Sequence, residues 1–304
     1  IFIKIKRYLY FNMKIGYPCI NRGIGCTANS TFRLVNYSES NLIEKVTNNL
    51  DCLSKILRYN VDNGLLFFRI SSDLIPFASH PVCTFNWQEY FKERFQDIGN
   101  FILKNEIRIS MHPDQFVLIN SNNESIVTKS ILDLKWHCEV LDLMGLNETA
   151  KVQIHVGGVY GDKESAIGRF VDNYKKLPDF IKRRLAIEND ERLYSLKDCL
   201  SVSKKTGIPV IFDSFHHSCL NNGETMKEAI ELSEKTWSKK DGILMTDYSS
   251  QAPNERFGKH VDHIDVEKFR QYLKETKEHD FDIMLEIKDK EKSALKAIEV
   301  INDS

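Results

Sequence analysis

Short apolar runs and longer amphipathic segments alternate along the chain. The runs fall at 13–17, 65–69, 107–111, 152–155, 185–188, 210–213, 242–247 and 282–286, and each reads as a buried strand. Between the first two, residues 38–59 place Leu42, Ile43, Val46, Leu50, Leu53, Ile56 and Leu57 at helical spacing, with Ser38 or Ser40 as cap and Asn63-Gly64 as stop. Further helices are expected at 87–104, 124–144, 163–177, 196–206, 226–235, 266–279 and 290–301. Short strands alternating with helices imply parallel pairing through right-handed crossovers, and eight such units are what closes a barrel. The expected fold class is therefore α/β, a single (β/α)8 TIM barrel over residues 13–304. An open doubly wound sheet is the rival, weakened because no glycine fingerprint follows the first strand. Residues 1–12 read as a poorly packed N-terminal extension, and Met13 would serve as a translation start.

Composition narrows the class. The 304 residues carry 42 Lys+Arg against 43 Asp+Glu, and 42% are hydrophobic, which excludes a disordered or fibrous chain. A chain of this length buries roughly 75% of its unfolded surface, so any metal is expected to serve chemistry, not folding. A net charge of −1 argues against binding nucleic acid or membrane by bulk attraction. The seven cysteines lack CxxC spacing and read as reduced, mainly structural thiols of a cytoplasmic protein, nucleoid-associated in a prokaryote. No run approaches the roughly 18 apolar residues of a membrane span.

The strand ends hold the chemistry. Tyr17, Arg69, His112, His155, Glu188, Asp213, Asp247 and Glu286 are all polar and would converge on one mouth of a barrel. Ionisable groups at buried strand ends need partners, and a shared cation would satisfy them together. His216, three residues after Asp213, can reach the same ion, and His80 and His260 lie in neighbouring loops. Singly, each has a bland reading as a turn histidine or ion-pair partner; their joint occurrence points to metal ligation. Imidazole and carboxylate without paired thiolates suit Mn²⁺, Zn²⁺ or Fe²⁺, with ligands enough for two or three ions. Phosphodiester hydrolysis is a natural reaction for such a cluster, and the same residue types also serve sugar isomerases.

The stretches Gly16-Tyr17-Pro18-Cys19-Ile20-Asn21, Arg69-Ile70-Ser71-Ser72, Ser79-His80-Pro81, His112-Pro113-Asp114-Gln115-Phe116, Ile154-His155-Val156-Gly157-Gly158, Glu188-Asn189-Asp190, Asp213-Ser214-Phe215-His216-His217 and Leu285-Glu286-Ile287-Lys288 occur together and in order. In these the chain from about 13 to 301 resembles the UV damage endonuclease family, barrel enzymes that nick DNA on the 5′ side of ultraviolet photoproducts. The resemblance implies that His80, His112, His155, Glu188, Asp213, His216, His260 and Glu286 ligate a cluster of divalent ions, usually manganese. It places Gln115 and Phe116 where family members carry a Gln and an aromatic residue that probe the duplex at the damage. It makes Tyr17 and Asn21 candidates for contact with the displaced photoproduct. Glu188 and Glu286 would be catalytic, with Lys288 or a metal-bound water as proton donor. Arg69, Arg256, Lys259 and Lys288 are candidate phosphate contacts near the mouth, whereas Lys182-Arg183-Arg184 falls at the opposite end. The chain departs from the pattern at strand seven, where family members carry a Lys and then a His two residues later; Met245-Thr246-Asp247 stands there, and only Asp247 can ligate. The implied partner is UV-damaged double-stranded DNA, with no membrane and no obligate protein partner, compatible with a monomer. A related abasic-site endonuclease, a sugar isomerase and a lesion-binding protein with impaired catalysis are the alternatives.

Overall fold

The computed structural model describes residues 13–303 of the chain, so the expected extension at 1–12 lies outside the described residues. The strands are β1 (Ile15–Pro18), β2 (Phe67–Ile70), β3 (Arg108–Met111), β4 (Lys151–His155), β5 (Leu185–Glu188), β6 (Val210–Asp213), β7 (Leu244–Tyr248) and β8 (Phe281–Leu285). They pair in parallel and in sequence order, and β8 pairs with β1 to close the barrel. The expected (β/α)8 barrel is the fold found, and the open sheet is excluded.

The crossovers carry α1 (Glu39–Asp62), α2 (Trp87–Tyr90), α3 (Lys92–Lys104), α4 (Glu124–Leu143), α5 (Lys163–Lys176), α6 (Asp179–Lys182), α7 (Leu196–Thr206), α8 (Ser214–Cys219), α9 (Met226–Glu234), α10 (Val266–Thr276) and α11 (Glu291–Asn302). Ser38 caps α1 by accepting from the Asn41 amide at 3.1 Å. The helix expected at 87–104 is broken at Phe91, whose φ of −100° and ψ of 9° end one segment and begin the next. The short α8, which helical spacing alone does not predict, starts directly after β6 because Asp213 accepts the His216 amide and nucleates a turn.

Two apolar layers set the geometry. The larger lies between strands and helices; the smaller fills the barrel with Phe67, Ala186, Ile211, Met245 and Met284. Because side chains two apart on a strand share a face, the next inward positions are Arg69, Glu188, Asp213, Asp247 and, just beyond β8, Glu286. The polar mouth thus rests on an apolar floor, of which Met245 is part.

One cysteine expectation is corrected. Cys26, in the loop after β1, and Cys52, on the buried face of α1, form a disulfide with Cα atoms 5.9 Å apart, while the other five cysteines are free. Helix α1 packs this loop against its own surface, which brings the two sulfurs together. Among the described residues no helix is long and apolar enough to cross a membrane.

Candidate active site

Glu188 ends β5 at the centre of the mouth and is 1% exposed. It belongs to two sets of possible metal ligands, His112 with His155 and Glu188, and Glu188 with Asp213 and His216; within each set the ligand atoms lie within 4.8 Å of one another. The partners arrive from the ends of β3, β4 and β6. His112 follows β3, its Nδ1 2.7 Å from the Pro113 carbonyl, which leaves Nε2 3.5 Å from Glu188 Oε2. His155 ends β4, its ring 5.3 Å from that of His112 and 6.0 Å from that of His216. His216 is delivered by α8, with Nδ1 3.1 Å from Glu188 Oε1 and 3.4 Å from Asp213 Oδ2.

Asn189 ties the two strand ends together. Its Nδ2 donates to the Asp213 carbonyl at 2.9 Å, and its Oδ1 accepts the Asp213 amide at 3.0 Å. Burial pushes the Glu188 carboxyl up, but His155, His112 and His216 outweigh it and hold the group well below the ordinary carboxylate range. Desolvation pulls the His216 imidazole down, and Asp213 and Glu188 overcome this and push it up to about 12. Burial lowers His155 and raises Asp213 far above its usual range. These opposed shifts are what charges crowded into a dry site produce.

The residues present fit a divalent ion. His155 Nδ1 and Asp213 Oδ2 are buried and lack hydrogen-bond partners, one in each ligand set. Buried polar atoms are satisfied as a rule, and a cation between these groups would satisfy both.

Asp247 and Glu286 also reach the mouth, but they meet a different partner. Arg69, buried on β2, donates from Nη2 to Asp247 at 2.7 and 2.8 Å and from Nη1 to Glu286. Burial pushes Glu286 up, and Arg69 reverses this and brings the carboxyl to about 2. Arg69, an expected phosphate contact, thus has its guanidinium engaged by buried Asp247 and half-buried Glu286. His260 is at the rim, with Nδ1 2.9 Å from the Glu286 carbonyl and Nε2 4.0 Å from the Glu286 carboxylate.

Other expected residues lie elsewhere. His80 is exposed in the loop after β2, where its Nδ1 accepts the Val82 amide at 3.1 Å and its ring meets Phe77; neither ligand set includes it. Tyr17 is fully buried and faces the helices, donating to Asn60 Oδ1 of α1 at 2.6 Å and accepting from Asn21 at 2.9 Å. Tyr17 and Asn21, the expected lesion contacts, are thus both buried, and side-chain alternation on β1 turns the tyrosine toward the helices. Lys288 Nζ pairs with Asp262 at 2.6 Å, and Lys259 pairs with Glu255 at the same distance. Gln115 and Phe116 sit exposed on the loop after β3, with Phe116 71% accessible, so that ring takes no part in the core.

Gln153 is a residue of the mouth that strand ends alone do not reveal. It lies inside β4, two residues before His155 on the same face; Nε2 donates to Glu188 and Asp247, and Oε1 accepts from Arg69 at 2.9 Å. Alternation along Lys151-Val152-Gln153-Ile154-His155 was the available signal.

Comparison with known proteins gives the family. The profile of the UV-endonuclease UvdE family matches residues 13–303. A UV DNA damage endonuclease of Clostridium perfringens is 43% identical over 293 residues, covering 96% of this chain and 71% of that protein. A UV DNA damage endonuclease of Bacillus mycoides is 37% identical, covering 86% of this chain and 83% of the relative. The crystal structure of SacUVDE superposes with a TM-score of 0.92 at 47% identity, covering 96% of this chain and 98% of that one. The chain belongs to the UV-endonuclease UvdE family.

Proposed function

We propose that the chain is a metal-dependent endodeoxyribonuclease that nicks duplex DNA on the 5′ side of UV photoproducts. The observation that carries the reading is the pair of ligand sets sharing Glu188 at the mouth, with exposed Gln115 and Phe116 following His112 on the loop after β3. His112, His155, Glu188, Asp213 and His216 would hold the ions, for which manganese suits the mixed imidazole and carboxylate set. Divalent ions there lower the pKa of water and neutralise charge on a phosphodiester. The protein's own part is to keep the ligands oriented. Pro113 and Asn189 fix the rings of His112 and His216 through their carbonyls, and Gln153 anchors Glu188. The apolar layer beneath excludes water from below.

Exposed Phe116 supports the probe role, since a ring can enter the gap where damaged bases unstack and Gln115 can hydrogen-bond the bases left behind. A near-neutral chain depends on this local fit and on the charge of bound ions for its hold on DNA. The test is incubation with Mn²⁺ and irradiated, abasic or intact duplex, with the ends mapped. Nicks confined to irradiated DNA, 5′ of the lesion, are expected. Cutting of abasic DNA alone, or lesion binding without any nick, would contradict the reading.

A further inference from the structure

Three buried carboxylates and the half-buried Glu286 line the mouth, yet they are not held alike. Glu188 and Asp213 face imidazoles. Asp247 and Glu286 face a guanidinium that already neutralises them. Arg69 grips Asp247 through two oxygens, reaches Glu286 with its other terminal nitrogen, and is locked by the Gln153 amide oxygen at 2.9 Å. The same Gln153 amide nitrogen turns to Glu188 and Asp247, so one side chain marks the border between the two halves.

We infer that Arg69, clamped by Asp247 and Gln153, is a resident cation that fills the Asp247–Glu286 half of the mouth and confines divalent ions to the Glu188 half, so that the chain loads two ions and not three. This rests on the metal-dependent reading above. A fixed guanidinium cannot be deprotonated, and in a dry site it repels a divalent ion placed beside it. It also consumes oxygens that an ion between Asp247 and Glu286 would need, leaving His260, 4.0 Å from Glu286, without a third free ligand on that side. Arg69 is here a positioning residue: it holds two carboxylates and, through Gln153, orients the one shared by both ligand sets.

The experiment counts Mn²⁺ per full-length chain by equilibrium dialysis with elemental analysis, with circular dichroism to check folding. The wild type is expected to bind two ions. Arg69→Met, which keeps the apolar stem and removes the charge, is expected to bind a third, weaker ion through the freed Asp247 and Glu286. Glu286→Gln is expected to leave the count at two, because Arg69 and not an ion is its partner. Three ions on the wild type, a folded Arg69→Met protein still limited to two, or an ion lost in Glu286→Gln would each overturn the inference. Should Arg69→Met fail to fold, the wild-type count and Glu286→Gln decide. Fewer than two ions on the wild type would instead overturn the metal reading on which the inference stands.

Discussion

Glu188 carries more of the site than any other side chain, because both ligand sets include it and three imidazoles draw on its charge. Its replacement by Gln keeps the shape and removes that charge. Losing a supporting partner of a metal ligand costs 10–100-fold in affinity, so Glu188→Gln is expected to lower Mn²⁺ affinity by at least ~100-fold and to abolish nicking, with circular dichroism unchanged. A Mn²⁺ titration checks it; wild-type affinity would remove Glu188 from the site. At the rim, joint replacement of Gln115 and Phe116 by Ala is expected to reduce the preference for irradiated over intact duplex in a binding assay and leave the Mn²⁺ count alone. An unchanged preference ratio would discard the probe. Most of the ligands were legible in the sequence because an ionisable residue that closes an apolar strand must find a partner where the strands converge: His112, His155, Glu188 and Asp213 all fit that rule. His80 did not obey it, since a loop histidine beside a proline carries no positional information. The burial of Tyr17 against α1 was not legible, as a four-residue strand whose sequence shows no polar and apolar alternation does not say which face looks inward.

At the scale of elements, the loop after β4 shows how backbone shape aims a ligand. Gly157, two residues past His155, has φ of +114°, and a Cβ there would lie 2.3 Å from Asn120 Oδ1. Gly157→Ala combines backbone strain with overpacking, each costing on the order of 1–3 kcal/mol, so a loss of about 2 kcal/mol or more is expected in urea unfolding. A variant as stable as the wild type would show that the loop relaxes freely. The covalent tie between the β1–α1 loop and α1 predicts that alkylation of the denatured, unreduced protein labels five of its seven cysteines, read by mass spectrometry. Seven labelled thiols would refute the bond. Cys52 lies on the buried face of α1. The position of Cys26 was not legible, because a loop's return path depends on packing that no local pattern encodes. The same limit hid α8, whose start depends on one Asp side chain capping a turn.

At the scale of the whole molecule, folding and metal loading are separate tasks. The barrel is closed by eight strand pairings and filled by its own apolar layers, so the metal-free chain is expected to be folded. An ion that binds only the folded state adds about 2.7 kcal/mol at a hundredfold excess over its dissociation constant, and Mn²⁺ should therefore raise the melting temperature by a few degrees. The period of strands and helices was readable end to end because parallel barrel strands are buried on both faces and their sequences are correspondingly apolar. The division of the mouth into an arginine-held half and an imidazole-held half was not readable, since it depends on which carboxylate Arg69 meets across the barrel. Anomalous scattering from crystals grown with Mn²⁺ tests the Glu188-centred metal site most directly. Peaks bonded to Glu188 are expected, one shared with His112 and His155 and one with Asp213 and His216. Crystals with Mn²⁺ in solution and no peak on Glu188 would contradict that site.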